Sequence, residues 1–149
     1  MRGYTLIEMA MVLLIAVTLL SIVTVTFSGY NERTSARRSA QVFARDLTMA
    51  RSMAVRGRET VTITFYVSTK WYKVTTASGR ELARRRFGST QELNLSAVTL
   101  DLGGDSVQFS TRGVGNLGAA TLGTAIFTAG DVAYQVQFNS MGASKVGEL

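Results

Sequence analysis

The chemistry open to this chain is limited first by what it lacks. It contains no histidine and no cysteine. The common general bases, thiolate nucleophiles and zinc-ligand sets are therefore missing, and no disulfide can form. Asp101, Asp105 and Asp131 stand beside glycines, where turn residues belong. Asp101-Leu102-Gly103-Gly104-Asp105 offers too few oxygens from one loop to hold calcium. Gly113-Val114-Gly115 has no following helix and is not a phosphate cradle. The expectation is a protein that is not an enzyme and holds no metal or cofactor. Two ionisable features remain: Glu8, at the head of an uncharged apolar run, and the basic group Arg80, Arg84, Arg85 and Arg86 beside Phe87.

Glu8 is the sharper of the two. The run Met9 to Phe27 carries no charge, and as a helix its ~19 residues would span roughly 28 Å, about the hydrocarbon thickness of a bilayer. Thr18, Ser21, Thr24 and Thr26 interrupt it, but their hydroxyls can bond back to the carbonyl one turn earlier. A carboxylate near hydrocarbon costs several kcal/mol and needs a partner. A cleaved secretory signal has a shorter apolar core and no acid before it. A plain anchor accounts for the length and leaves Glu8 without a purpose.

The elements that would position these groups follow from periodicity. Beyond the apolar run, Ala36, Ala40, Phe43, Leu47, Ala50 and Ala54 recur at steps of four and three, which makes one apolar stripe on a helix. Arg33, Arg37, Arg45 and Arg51 lie mostly off that stripe. No proline occurs anywhere, Gly29 loosens the junction, and Gly57 is a natural stop. From Thr60 the period becomes two: Val61, Ile63, Phe65 and Val67 alternate with polar or amphipathic residues. Further strands are expected at Trp71–Thr76, Arg80–Phe87, 93–102, 106–110, 124–129 and 132–138, with turns at Ser78-Gly79, Gly103-Gly104-Asp105 and Gly130-Asp131. Arg112 to Gly123 reads as a mobile loop or an irregular edge. The fold class is α+β: a long N-terminal helix, membrane-spanning then amphipathic, packed on an antiparallel β head and shaped like a ladle.

The net charge is +6, which suits an anionic neighbour such as lipid headgroups, nucleic acid or an acidic subunit. In a strand, Arg84 and Arg86 share a face and Arg85 points the other way. Three readings of this basic group stay open: a solvated strand edge kept from pairing by charge, a nucleic-acid contact aided by a stacking aromatic, and contact with acidic neighbours. The three arginines after the apolar run, Arg33, Arg37 and Arg38, outnumber Arg2 before it. Taken alone, the positive-inside rule would put the C-terminal part in the cytoplasm.

The string Gly3-Tyr4-Thr5-Leu6-Ile7-Glu8, followed by the apolar run, resembles the N-terminus of type IV pilins and pseudopilins. The resemblance implies a leader at 1–3, cleavage by prepilin peptidase between Gly3 and Tyr4, and methylation of Tyr4. It further implies a transmembrane and assembly half at 4–29, an amphipathic half at 30–57 and a head at 58–149. Tyr4 stands where phenylalanine is usual, and the leader is very short. Glu8 would pair with the new ammonium of a neighbouring subunit and set its axial register. The head, with Phe109-Ser110-Thr111-Arg112-Gly113 and Phe138-Asn139-Ser140-Met141-Gly142, is similar to the GspH/FimT-like branch. Implied partners are other pilin or pseudopilin subunits, the peptidase and the inner membrane, with the head in the periplasm before assembly into a pilus or secretion pseudopilus. FimT-like relatives imply DNA as a further partner, in natural transformation. Arg80, Arg84, Arg86 and Lys145 are the candidate contacts, with Lys145 the lone cation in the glycine-containing C-terminal stretch.

Overall fold

The computed structural model describes residues 5–149 apart from 89–92, 103 and 119, together with the backbone but not the side chains of 22–28. Two compact units result, Met1–Asn31 and Glu32–Leu149. Helix α1 (Leu6–Gly57) contributes to both. In the first unit the large apolar side chains described between Leu6 and Leu20 are exposed. Thr18 and Ser21 return their hydroxyls to the carbonyls of Ile15 and Val17 at 2.8 and 2.9 Å, as an uncapped polar group in an apolar helix must.

In the second unit, every residue of the expected stripe is fully buried: Ala36, Ala40, Phe43, Leu47, Ala50 and Ala54. The helix stops at Gly57, but the left-handed residue that turns the chain is Arg58, at φ 50°. Glycine was the expected stop. Here the glycine closes the last helical turn and the arginine carries the strained conformation.

Among the described residues nine strands follow: β1 (Val61–Tyr66), β2 (Trp71–Thr76), β3 (Glu81–Arg86), β4 (Ala97–Asp101), β5 (Ser106–Phe109), β6 (Gly115–Asn116), β7 (Leu122–Ala129), β8 (Val132–Asn139) and β9 (Ser144–Glu148). They form two antiparallel sheets, ordered β3-β2-β1-β5-β6 and β4-β7-β8-β9. Phe43 ties both to the helix. Its ring centroid lies 5.3 and 5.8 Å from Phe65 and Tyr72 of the first sheet, and 5.5 and 5.7 Å from Phe127 and Phe138 of the second. Aromatic pairs at these separations add to the area they bury.

Two expectations need correction. Val67 leaves the strand for a short 3-10 turn and is exposed, because Lys70 at φ 56° reverses the chain there. The strand expected over 93–102 is only Ala97–Asp101. Leu93 and Leu95 are buried, whereas the half-buried residues of β4 are Val98 and Leu100, so the inward phase flips and one strand cannot hold both sets. Of the two alternatives for Arg112 to Gly123, the irregular edge is the one seen: β6 is a short edge strand, anchored where the Gly115 amide donates to the Ser140 carbonyl at 2.6 Å. A Cβ on Gly115 would stand 3.0 Å from the Phe109 ring, so only glycine brings that edge in. The C-terminal stretch with Lys145, to which the sequence reading gave no element, is strand β9.

The motifs Phe109–Gly113 and Phe138–Gly142 are one device used twice. Each leaves a strand, makes a turn closed by an amide from its last glycine (Gly113 to Ser110, Gly142 to Asn139), and places that glycine at φ 74° or 70°. This is a type of turn that re-enters a hairpin through a left-handed residue. Both glycines approach Arg51 of α1: an added Cβ would lie 3.2 Å from its Nε in one case and 3.2 Å from its Cδ in the other.

Candidate functional site

Gly3 and Tyr4, the expected processing residues, lie outside the described residues. Glu8 does not. Thr5 precedes the first helical residue, Leu6, and its Oγ1 accepts the Glu8 amide at 3.3 Å. A threonine followed three residues later by glutamate is the sequence of a capping box, and the threonine half of that box is in place. The same string that suggests processing therefore also fixes where the helix begins. The Glu8 side chain is exposed, and so are Leu6, Ile7, Met9, Met11, Val12, Leu13 and Leu14 around it. These positions cover every direction around the helix axis. A helix that is apolar all round requires an apolar surrounding. Among the described residues, no helix is long and apolar enough to cross a membrane. The expected span Met9 to Phe27 ends in side chains 22–28, outside those described, and Leu6 to Ser21 alone falls short of the ~20 residues a span needs.

The basic group sits on β3, at the edge of the first sheet. Cross-strand register places Trp71 opposite Arg86, Tyr72 opposite Arg85 and Lys73 opposite Arg84. Trp71, Arg84 and Arg86 thus face outward, while Tyr72 and Arg85 turn toward the helix. A register shift between Val74 and Thr75 then pairs Thr75 with Glu81 and leaves Leu82 unpaired. This bulge moves Glu81 onto the face of Arg84, which strict alternation would forbid. The two form an ion pair at 2.6 Å. It holds the Glu81 carboxyl below the usual carboxylate range and raises Arg84. On the outer face, Tyr66 stacks on Trp71 (4.1 Å, 8° between planes), and Arg84 lies over the Trp71 ring at 5.0 Å. Lys73 lies over Tyr66 at 5.5 Å. The result is a ladder across three strands in which a stacked aromatic pair is flanked by a cation at each end.

Arg80 lies just before β3 and is exposed. Its amide is taken by the Thr76 hydroxyl at 3.2 Å. Lys145 is on β9, opposite Gln137, in the other sheet. The structure therefore brings Arg84 and Arg86 together and leaves Lys145 on a separate sheet.

A buried group that sequence reasoning missed lies behind the arginines. Asp46 of α1 is only 4% exposed. It accepts the Tyr72 hydroxyl at 2.7 Å and the Arg85 Nε at 3.2 Å. Burial, reinforced by the Asp46 charge, pushes the Tyr72 hydroxyl far above its ordinary pKa. The available signal was an aspartate three residues after Phe43 and four before Ala50, flanking the stripe, together with an arginine pointing inward. A second bridge joins the start of this helical segment to the last strand. Arg33 donates twice to Glu148, at 2.6 and 3.1 Å, and Tyr134 donates to the other carboxylate oxygen at 3.0 Å. The Arg33 hydrogen bond, then that from Tyr134, hold the Glu148 carboxyl below its usual range. No group of acidic residues suited to a metal occurs among the described residues.

These features can be set beside known proteins. No curated protein sequence matches the chain. A crystal structure of the type IV minor pilin FimU from Pseudomonas aeruginosa superposes with a TM-score of 0.58 at 20% identity, covering 81% of this chain and 92% of that one. The minor pseudopilin EpsH from the type 2 secretion system of Vibrio cholerae gives a TM-score of 0.55 at 15% identity, covering 76% and 97%. At such identities both likenesses establish the fold. The family model described as type II transport protein GspH matches residues 39–142, which run from the buried helix stripe to the second glycine turn. This chain belongs to the GspH family, as a GspH/FimT-like minor pilin.

Proposed function

We propose that this chain enters a type IV pilus or a type II secretion pseudopilus through its N-terminal helix, after a peptidase removes residues 1–3. The observation that carries the reading is the helix from Leu6 to Ser21: apolar side chains exposed in every direction, with one carboxylate, Glu8, at its start. Such a surface is stable in lipid or among similar helices and nowhere else. Before assembly the helix sits in the inner membrane with the head in the periplasm. After cleavage, the ammonium of Tyr4 on one subunit pairs with Glu8 of the next. In a medium of low dielectric the unpaired carboxylate is penalised and the paired one is not, so only the correct axial register is populated. The chain is then a structural subunit and a peptidase substrate.

The test is Glu8→Ala in cells. The variant should remain in the membrane fraction and be absent from sheared or purified filaments; normal incorporation refutes the pairing. Mass spectrometry of assembled protein should find Tyr4 as the N-terminal residue, methylated. An intact Met1 in that material overturns processing. The DNA-uptake reading offers Arg80, Arg84 and Arg86 as one candidate contact and Lys145 as another. These lie on different sheets, so subunit assembly is the better supported reading.

A further inference from the structure

The outer face at β3 holds more charge than the ladder consumes. A concavity of about 440 Å³ is lined by Thr69, Lys70, Trp71, Arg84, Arg86 and Phe87. Arg84 is neutralised by Glu81, but none of the ion pairs among the described residues takes Lys70 or Arg86. Two cations therefore line open space beside an edge strand, next to Thr69, whose hydroxyl donates to the Tyr66 carbonyl at 3.4 Å. On the far side of β3, the backbone of Glu81–Arg85 faces no strand among the described residues; Leu93 caps only the end, at Arg86 and Phe87. An edge of this kind is a template for an extended segment, and its cations select an acidic one.

Two candidate occupants fit less well. A single-stranded nucleic acid would use an aromatic face for base stacking. The Trp71 ring is already engaged, by Tyr66 stacked at 4.1 Å and by Arg84 lying over it at 5.0 Å. A second copy of this chain brings a net charge of +6 to a surface that is already basic.

We propose that the Lys70–Arg86 groove docks an extended, carboxylate-rich segment of a different, acidic subunit next to this one in the assembly. The carboxylates meet Lys70 and Arg86, and the segment's backbone meets the edge of β3 that no described strand covers. The inference rests on the assembly reading above, and its test separates the two.

Trp71 is the only tryptophan of the chain, so its emission reports on the groove directly. The full chain in non-ionic detergent micelles, at low salt, is titrated with an oligo-glutamate peptide and, separately, with an oligothymidylate of equal charge. Oligo-glutamate should change Trp71 emission saturably, and salt should weaken the binding. Lys70→Gln/Arg86→Gln should raise the half-saturation point about tenfold, the sum expected for two partly exposed ion pairs. Arg56→Gln/Arg112→Gln removes the same charge from exposed positions elsewhere and should leave it unchanged. The groove is overturned if oligo-glutamate leaves Trp71 unaffected, if the control pair weakens binding equally, or if oligothymidylate binds as tightly. In cells, the Lys70/Arg86 variant should enter filaments less well than wild type. Peptide binding lost with incorporation intact would overturn the groove as a subunit contact. Peptide binding intact in a wild-type chain that never enters filaments would overturn the assembly reading instead.

Discussion

Removing the Asp46 carboxylate should destabilise the head by an amount that a second substitution partly restores. In Asp46→Ala, the fully buried Tyr72 hydroxyl loses its acceptor. An orphaned buried hydroxyl costs ~1–3 kcal/mol. Arg85 loses its carboxylate too, but its side chain is 29% exposed and can turn to water, so that loss adds only ~1 kcal/mol. The single variant should therefore lose ~2–4 kcal/mol. Tyr72→Phe alone removes one hydrogen bond and leaves Asp46 with Arg85, at a cost of ~1 kcal/mol. In the double variant no hydroxyl is stranded, so Asp46→Ala/Tyr72→Phe should be more stable than Asp46→Ala, with a coupling of ~1–2 kcal/mol. Urea unfolding followed by Trp71 emission measures all four corners, since Trp71 adjoins Tyr72 on β2. If Asp46→Ala falls within ~0.5 kcal/mol of wild type, or if adding Tyr72→Phe lowers stability further by its full single-variant amount, the network does not hold the helix to the sheet.

Other substitutions probe different parts of the fold. Gly123→Ala would set a methyl 2.5 Å from Leu102 and 2.7 Å from the Phe138 ring; overpacking there should cost ~1–3 kcal/mol in the same denaturant assay. Gly142→Ala forces a side chain into φ 70° beside Arg51 and should cost ~1–2 kcal/mol, whereas replacing exposed Gly104, which has open space around it, should cost far less. Phe43→Ala empties the point where both sheets meet the helix and should be the most damaging single change, ~3–5 kcal/mol. Stability should also fall at both ends of the pH scale. The Tyr72 pKa is raised in the fold, so its contribution is present below the unfolded value of ~10 and is lost as pH rises beyond it; Tyr72→Phe should flatten that alkaline limb. Glu148 is held below its unfolded value of ~4.3, so its contribution is present above that pH and disappears as pH falls through the lower folded value; Glu148→Gln should remove that share of the acid limb.

The legible parts of this protein are those where one period governs. The stripe from Ala36 to Ala54 and the alternation in β1 and β2 were readable because burial follows spacing directly there. The split between Arg84 and Arg86 on one face and Arg85 on the other follows from the same rule. Illegible features break the period or depend on distant partners. The bulge at Leu82, which creates the Glu81–Arg84 pair, leaves no mark in a run of charged residues. Strand β6 exists because Gly115 fits against Phe109 of its own hairpin and the carbonyl of distant Ser140. Asp46 looked like one more polar residue on a helix, because its partners lie 26 and 39 positions away. The placement of Lys145 and the arginines on different sheets is set by strand order, which no local pattern encodes.

The twin glycine turns have a mechanical consequence. Each sheet sends its turn to the same helical residue, Arg51. A tension applied along the helix is therefore delivered to both sheets at one level, and neither is peeled from its end. Rotating the helix by a single residue would swing Arg51 out from between the two loops and cost both seats together. The head should thus yield as one body under load, in an all-or-none rupture, rather than shed its strands in sequence.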